Sequence, residues 1–83
     1  MKQIAFSKTA VRALRRMPSH AAALIRAKIK QYATDPESLG NNVKALRGRD
    51  GFRLRVGDWR VIFDEDGRVI SVLEIGPRGG AYD

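Results

Sequence analysis

Three arginines, Arg53, Arg55 and Arg60, lie on either side of the dipeptide Gly57-Asp58. If this dipeptide forms a two-residue hairpin turn, alternation along the strands places all three side chains on one face of a sheet. Arg55 is then directly opposite Arg60, and two like charges at such positions cost roughly 0.2 to 1 kcal/mol. A phosphate between them reverses the sign, because guanidinium groups donate paired hydrogen bonds to phosphate oxygens. The spacing therefore predicts an anion-binding face.

The residues between these arginines are apolar and fall on the opposite face of the predicted hairpin, where they can form a core. The register pairs Val56 with Trp59, Leu54 with Val61, and Phe52 with Phe63. We therefore expect Trp59 to pack in the core rather than to stack on a nucleobase.

A second turn signal, Asp66-Gly67, predicts another hairpin in which Glu65 lies opposite Arg68. Counting outward pairs Val61 with Val72 and Arg60 with Leu73. The last strand then ends beside the first turn, at the same end of the sheet as the arginine pair.

That register also predicts the position of the tail, residues 76–82, which leaves the sheet beside the first turn. Pro77 and the neighbouring glycines are expected to prevent the strand from continuing, so that the tail folds back. Arg78 and Tyr82 then approach Arg55 and Arg60. The sequence thus predicts four arginines and one phenol in one place.

The elements before these hairpins must supply the rest of the core. Residues 2–6 alternate weakly and are typical of a short strand, and Ser7 is placed to cap a helix that ends near Met17. Pro18 ends that helix, Ser19 is placed to cap a second one, and Asp35-Pro36 ends it. Apolar residues recur at helical spacing in both: Val11, Leu14 and Met17, then Ala22, Ile25, Ile29 and Tyr32.

Residues 37–50 are interpreted as a polar connection that carries Lys44, Arg47 and Arg49. Three strands follow in quick succession, at about 52–56, 59–64 and 68–75. The predicted fold class is therefore α+β: an N-terminal strand, a helical hairpin, and a three-stranded antiparallel meander in one sheet on which the helices pack.

Length and charge limit the class of partner. The 83 residues predict one small domain, 1–83, and the net charge of +7 predicts a polyanion: nucleic acid, an acidic protein segment or an anionic membrane surface. The membrane is disfavoured, because no apolar run approaches about 20 residues and no signal peptide is evident. We expect a soluble, cytoplasmic protein.

The chain has no cysteine, and His20 is its single histidine. A cysteine-based zinc site and a disulfide framework are therefore excluded, and a catalytic pair built on a second histidine is excluded as well. We expect chemistry that uses no metal and no cofactor.

Clustered arginines suit phosphodiester transfer, because they can hold a scissile phosphate and stabilise the charge of a pentavalent transition state without a metal. RNA supplies its own nucleophile, the 2′-hydroxyl, and the product is a 2′,3′-cyclic phosphate. Arginine is a poor base, whereas surrounding cations lower the pKa of a tyrosine from its ordinary value of about 10. Tyr82 is therefore the candidate base, and Arg78 the candidate for stabilising the leaving oxygen.

The residues quoted so far form longer strings that resemble a known family. Leu46-Arg47-Gly48, the run from Gly51 to Phe63, the run from Ile75 to Arg78, and Tyr82 near the terminus closely resemble the RelE branch of the RelE/ParE toxin superfamily. The resemblance covers essentially the whole chain. It implies the fold order given above, cleavage of messenger RNA in the ribosomal A site, and neutralisation by a cognate antitoxin.

The resemblance also implies roles by position. Arg53 and Arg55 stand where relatives have basic, often lysine, residues, and Arg60, Arg78 and Tyr82 match the family's catalytic arginines and tyrosine. The commonly basic stretch of the family corresponds to the residues that would contact the RNA backbone, Lys44, Arg47 and Arg49. The implied partners are messenger RNA, the 70S ribosome and an acidic or partly disordered antitoxin that wraps the toxin, in a heterotetramer or a larger complex.

Two other functions stay open from sequence. A ParE-like poison of DNA gyrase shares the fold but lacks a catalytic tail. A noncatalytic basic module that binds RNA or ribosomes would use the same charges without cleavage.

Overall fold

Two α-helices, one 3-10 helix and five strands make up residues 1–77, the part of the chain that this computed structural model describes. In chain order they are β1 (Gln3–Phe6), α1 (Lys8–Arg16), α2 (Ser19–Thr34), the 3-10 helix (Pro36–Leu39), β2 (Val43–Ala45), β3 (Phe52–Val56), β4 (Trp59–Glu65) and β5 (Val69–Pro77). Within residues 1–77 no helix is long and apolar enough to span a membrane. In the same range no three metal-binding side chains cluster.

The helix boundaries follow local chemistry. Ser7 caps α1, as predicted, because its Oγ accepts the N–H of Ala10 at 3.0 Å and so satisfies a donor that the first turn leaves open. The prediction that Ser19 caps α2 is wrong. Ser19 is already helical, and the cap position is Pro18, whose carbonyl accepts the N–H groups of Ala21 and Ala22.

The five strands form one mixed sheet in the order β1-β5-β4-β3-β2, in which β1 runs parallel to β5 and the other pairs are antiparallel. Both helices pack on one face of this sheet, so the α+β prediction is confirmed. Their apolar residues and those of the strands form a single core: Ala10, Leu14, Met17, Ala21, Ile25, Ile29, Tyr32, Ala33, Leu39, Leu54, Val56, Val61, Phe63, Ile70, Val72 and Ile75.

The strand β2 is not in the sequence prediction, which treated residues 37–50 as a polar connection. Val43 pairs with Leu54 and Lys44 with Arg53, so this short segment extends the sheet beyond β3. Three residues are too few for a clear alternation, and the strand exists because β3 offers it an unpaired edge. Val43 packs against the core.

The first hairpin has the predicted register at every pair, from Val56 opposite Trp59 to Phe52 opposite Phe63. Gly57 has φ of 57°, a backbone conformation that glycine adopts without steric cost. Trp59 is half-buried and packs against the core, as predicted.

The second hairpin differs from its prediction. Glu65 lies opposite Ile70, not Arg68, and the Asp66 N–H donates to the Val69 carbonyl at 3.0 Å, so that Gly67 and Arg68 form the turn rather than Asp66 and Gly67. This displacement of the turn by one residue follows from Asp66, whose Oδ1 accepts the N–H groups of Arg68 and Val69 at 2.7 and 2.8 Å. These two hydrogen bonds from the backbone to the Asp66 side chain close the turn around Gly67 and Arg68.

A β-bulge changes the register again in the middle of β5. Phe63 pairs with Val72 but Ile62 pairs with Glu74, so that Leu73 is an extra residue. Without the bulge, continued pairing would place Glu74 in the apolar core opposite Val61, which is costly for a carboxylate. With the bulge, Ile75 takes that core position. The predicted pairs Val61–Val72 and Arg60–Leu73 are therefore wrong, and the observed pairs are Val61–Ile75 and Arg60–Gly76.

Candidate functional site

The sheet face opposite the helices carries a group of cations, here named the arginine face: Lys44, Arg53, Arg55 and Arg60. Two cross-strand rows build it. One row runs from Lys44 through Arg53 and Ile62 to Glu74, and the other from Arg55 through Arg60 to Gly76. The first hairpin thus brings its three arginines together as predicted, and β2 adds Lys44 beside them.

Arg55 and Arg60 are directly opposite each other, yet their surroundings differ. Arg55 is exposed, whereas Arg60 as a residue is only 6% exposed. Arg53 and Arg60 each interact with at least one partner through hydrogen bonding, charge or ring contact. A charged group is rarely buried without such compensation. The pair therefore offers one guanidinium to the solvent and one held within the protein.

A small pocket of about 90 Å³ opens at the β2 side of the arginine face. Its walls are Asn41, Asn42, Lys44, Arg53 and Arg55. The carbonyl of Asn42 accepts the Arg55 N–H at 2.9 Å, which holds this wall of the pocket against β3. Three cations and two amides around so small a space can coordinate an oxyanion of phosphate size.

The loop between β2 and β3, residues 46–51, carries the remaining two predicted RNA contacts. The Arg47 side chain is exposed. The Arg49 guanidinium lies 3.5 Å from the Glu74 carboxylate, so the loop reaches over to β5. Gly51 has φ of 113°, and a Cβ there would be 3.1 Å from the Phe63 carbonyl oxygen. The loop therefore lies close to the sheet at this glycine.

Ile62 is a feature of this face that the sequence analysis missed. It is fully buried, although it lies on the side of the sheet away from the helices. An isoleucine between Arg60 and Asp64 at an outward-facing position of β4 was the available signal. The arginine face is therefore not a uniformly solvated surface.

The end of β5 lies where the sequence analysis placed it, beside the first turn. Gly76 is opposite Arg60, and Pro77 is opposite Trp59. The prediction that Pro77 and Gly76 interrupt the strand is wrong, because both residues continue the β5 pairing at its end. Arg78 and Tyr82 lie outside the described residues.

Comparisons with known proteins agree on one superfamily. The sequence profile of the family described as "ParE toxin of type II toxin-antitoxin system, parDE" matches residues 4–82. No curated protein matches the sequence significantly.

Solved structures are similar over nearly the whole chain. One is from the archaeal RelE–RelB complex of Pyrococcus horikoshii OT3, at 28% identity and a TM-score of 0.79, covering 96% of this chain and 98% of that one. Another is from the RelB–RelE antitoxin–toxin complex of Methanococcus jannaschii, at 25% identity and a TM-score of 0.73, covering 95% of each chain. A third is from the toxin–antitoxin complex RelBE2 of Mycobacterium tuberculosis, at 25% identity and a TM-score of 0.68, covering 93% and 98%.

Proposed function

The chain belongs to the RelE/ParE superfamily of toxins from type II toxin–antitoxin systems, and we propose that it is an endoribonuclease that cleaves messenger RNA in the ribosomal A site. The observation that carries this proposal is the arginine face, where Arg55 lies opposite Arg60 and beside Arg53 and Lys44. Like charges that the fold brings together in this way favour a bound anion.

The proposed chemistry needs no group beyond the RNA and this chain. The arginine face holds the scissile phosphate. Arg55 and Arg53 donate hydrogen bonds to its oxygens at the pocket, and Arg60 contacts the phosphate from β4. The ribose 2′-oxygen attacks phosphorus, the bond to the 5′-oxygen breaks, and a 2′,3′-cyclic phosphate forms. The cations stabilise the charge that accumulates on the phosphate oxygens in the transition state.

Two protons must move in this reaction. Tyr82 accepts the proton of the 2′-hydroxyl, and Arg78 stabilises the negative charge on the leaving 5′-oxygen until that oxygen takes a proton from water. Both residues follow Pro77, which ends β5 beside the Arg55–Arg60 pair. Lys44, Arg47 and Arg49 contact the backbone of the RNA on either side of the cleaved bond.

A cognate antitoxin is the expected protein partner. The solved relatives at 25–28% identity are described as RelE–RelB or toxin–antitoxin complexes. The net charge of +7 suits an acidic, partly disordered segment that folds as it binds. Such segments can wrap a small domain and join two toxins in a heterotetramer or a larger complex.

A second function is favoured by one specific observation, the match to the family described as ParE toxin. A ParE-like protein poisons DNA gyrase and leaves RNA intact. Inhibited supercoiling with unchanged RNA would select this function over the ribonuclease.

The deciding experiment is primer extension on a defined messenger RNA held on translating ribosomes, with the purified protein in excess EDTA and with ribosome-free RNA in parallel. We expect new breaks confined to the A-site codon, each with a 2′,3′-cyclic phosphate end. An Arg55→Ala protein, shown to be folded by circular dichroism, is the matched control and should give few breaks.

Other outcomes are equally informative. Intact RNA together with inhibited gyrase would replace the ribonuclease with the gyrase poison. Intact RNA, normal gyrase activity and tight ribosome binding would identify a noncatalytic RNA- or ribosome-binding module.

A further inference from the structure

The positive charge of this protein is distributed unevenly along the chain. Residues 1–34 contain eight lysines and arginines and no aspartate or glutamate, whereas residues 35–83 contain eight and nine respectively. The N-terminal segment thus carries +8 and the remainder −1. Because residues 1–34 form β1, α1 and α2, the excess charge belongs to the helical side of the molecule, not to the arginine face.

Three of these cations form a line on α1, here named the α1 stripe: Lys8, Arg12 and Arg15. Spacings of four and three residues place them on one face of the helix, and all three are exposed. The opposite face of α1 is the buried one, with Ala10 and Leu14 in the core. The stripe therefore points away from the sheet and from the arginine face behind it.

The stripe borders a shallow depression of about 240 Å³. The three cations line it together with Phe6 and Val11. The guanidinium of Arg26, on α2, lies 5.5 Å from the centre of the Phe6 ring and adds a fourth positive charge nearby. Aromatic carbon and several cations therefore share one concave surface.

Nothing in the described part of the chain neutralises this stripe. The ion pairs recorded among residues 1–77 are Lys2–Glu65 and Arg49–Glu74, and neither involves α1. Lys8 is in the first helical turn, where the helix dipole favours an acidic residue and where α1 has none. Arg15 lies in the last turn, where the helix dipole favours a cation, so the dipole explains the charge at only this end of the stripe. At the other end the dipole disfavours Lys8, and the like charges three and four residues apart repel one another weakly, so a bound anion would be favoured here.

We propose that the α1 stripe is a second nucleic-acid contact, which binds the phosphate backbone of a folded, double-helical RNA. It lies on the side of the sheet opposite the arginine face. The protein therefore has two basic surfaces facing in opposite directions, one for the strand that is cut and one for a neighbouring RNA helix. The assignment of RNA, rather than DNA, rests on the function proposed above.

The stripe suits a phosphate backbone better than a protein segment. Protein interfaces have an apolar, charge-depleted centre, whereas here charged heads surround only a half-buried ring and one valine. Exposed arginine and lysine in a row are the usual contacts to phosphates, which position a nucleic acid without reading its sequence. We therefore expect binding that depends strongly on salt and little on sequence.

The test measures binding of the full chain to a 2′-O-methyl RNA hairpin, which cannot be cleaved by 2′-hydroxyl attack, by fluorescence anisotropy across a range of salt concentrations. The variant is the triple substitution Lys8→Gln, Arg12→Gln and Arg15→Gln, in which glutamine keeps the helix propensity. The matched control removes the same charge elsewhere, by Lys28→Gln, Lys30→Gln and Arg68→Gln. Thermal unfolding followed by circular dichroism verifies that both proteins are folded.

We expect the stripe variant to bind about tenfold or more weakly, with a salt slope shallower by about 2, because each lost phosphate contact removes roughly 0.7 to 0.9 from the slope. The control variant should retain most of the affinity and most of the salt slope of the unchanged protein. Equal losses in the two variants would overturn the proposal and leave only net charge, and no loss in either would overturn it as well. Tighter binding to a DNA hairpin of the same sequence would overturn the RNA assignment.

Two further measurements distinguish this proposal from a protein interface and from the proposed ribonuclease. If the stripe variant loses affinity for an acidic antitoxin peptide but not for the RNA hairpin, the surface is a protein interface and the proposal is overturned. The hairpin cannot be cut, so its binding tests the α1 stripe independently of cleavage. If the protein binds the hairpin through the stripe but leaves messenger RNA intact, the second contact is supported and the proposed ribonuclease is contradicted.

Discussion

Arg55 and Arg60 occupy paired positions on adjacent strands but differ in burial. The exposed Arg55 borders the small pocket with Lys44 and Arg53, so it can meet a ligand. Arg60 is buried and has at least one partner within the protein. The two arginines are therefore expected to contribute in different proportions to turnover and to stability.

Arg55→Ala should change the free energy of unfolding by less than about 0.5 kcal/mol, because exposed side chains contribute little, whereas Arg60→Ala should cost about 1 to 3 kcal/mol. Under the proposed function Arg55→Ala slows cleavage by more than it weakens RNA binding. Urea unfolding and single-turnover cleavage measure the two effects. Equal stability losses would contradict the distinct roles, and matched losses in rate and binding would reduce Arg55 to a docking contact.

Tyr82→Phe should abolish most cleavage while RNA binding is retained, since phenylalanine removes only the proton-accepting oxygen. Arg78→Ala should slow turnover by more than it weakens binding, because its charge acts on the leaving oxygen as the bond breaks. Single-turnover rates and anisotropy on the same RNA provide the comparison. Unchanged cleavage by the Tyr82→Phe protein removes this residue from the mechanism.

The two hairpins show how one type of turn signal leads to two structures. Gly57 has a positive φ and closes a two-residue turn, so alternation carries the arginines to one face. Asp66 instead accepts the N–H groups of Arg68 and Val69, and the two-residue turn lies one position further along the chain, at Gly67 and Arg68. The hydrogen bonds from Arg68 and then Val69 hold the pKa of Asp66 below its usual range. The aspartate side chain, more than the glycine, therefore decides which two residues form the second turn.

Gly57→Ala should destabilise the protein by about 1 to 2 kcal/mol, because an L-residue at this φ strains the backbone. Space is available for the methyl group, so the conformational cost is the cause. Gly67→Ala is the control, since Gly67 has open space around it and no such φ. A comparison of the two unfolding free energies in urea tests this, and similar values would contradict the role assigned to Gly57.

The bulge in β5 is tied to the start of α1. Ser7 Oγ donates a hydrogen bond to the Leu73 carbonyl at 2.6 Å while it accepts from the Ala10 N–H, and the Ser7 N–H reaches the Val72 carbonyl. One residue thus caps the helix and holds the bulged strand. Ser7 couples the position of α1 to the register that carries Glu74 to the arginine face.

Ser7→Ala should cost about 1 to 2 kcal/mol of stability, because the helix loses its cap and the bulge loses a hydrogen bond. Thr9→Ala, at an exposed position of the same helix, should remain within about 0.5 kcal/mol of the unchanged protein. Chemical unfolding of the three proteins makes the comparison. A Ser7→Ala protein as stable as the Thr9→Ala control would show that the cap contributes nothing.

At the scale of the whole molecule, a partly buried polar cluster lies at the end of the sheet opposite the Gly57-Asp58 turn. Glu65 on β4 accepts hydrogen bonds from the Lys2 ammonium at 2.7 Å and from the Tyr32 hydroxyl at 2.6 Å. Glu65 therefore ties the N-terminal segment and α2 to the end of β4, the central strand of the sheet. Burial, followed by the hydrogen bond to Glu65, raises the pKa of Tyr32, so this phenol stays protonated.

Stability should fall in acid because of this cluster. Burial acts to raise the pKa of Glu65, but the hydrogen bonds from Lys2 and Tyr32 outweigh it, so the pKa of this carboxyl lies below its usual range. A lowered folded-state pKa means that the stabilisation is complete above about 4.5 and is lost as the pH falls through the folded value. Glu65→Gln should reduce this acid dependence, which unfolding experiments between pH 7 and pH 2 would measure.

The control for the acid prediction is Glu37→Gln, at an exposed carboxylate of the 3-10 helix. It should retain the full acid dependence. Asp66 also has a lowered pKa and contributes in the same direction, so the Glu65→Gln protein should keep a weaker acid transition. Identical pH profiles for the Glu65→Gln and Glu37→Gln proteins would contradict the role of the cluster.

The sequence by itself determined the features that depend on neighbouring residues. Period-two alternation around Gly57-Asp58 predicted the first hairpin and its arginine face, and helical spacing with Ser7 and Pro18 predicted α1 and α2. These rules act within a few residues of the chain, which is why they are legible without a structure. The fold order implied by the family resemblance agrees with these predicted elements.

Only the tertiary structure decided the rest. The strand β2 depends on the open edge of β3, the bulge at Leu73 depends on keeping Glu74 out of the core, and the burial of Arg60 depends on its surroundings in the folded sheet. Each is settled by groups far apart in sequence, as in the Ser7–Leu73 hydrogen bond. Free energies of contact and desolvation between distant segments choose among local patterns that are otherwise equally allowed.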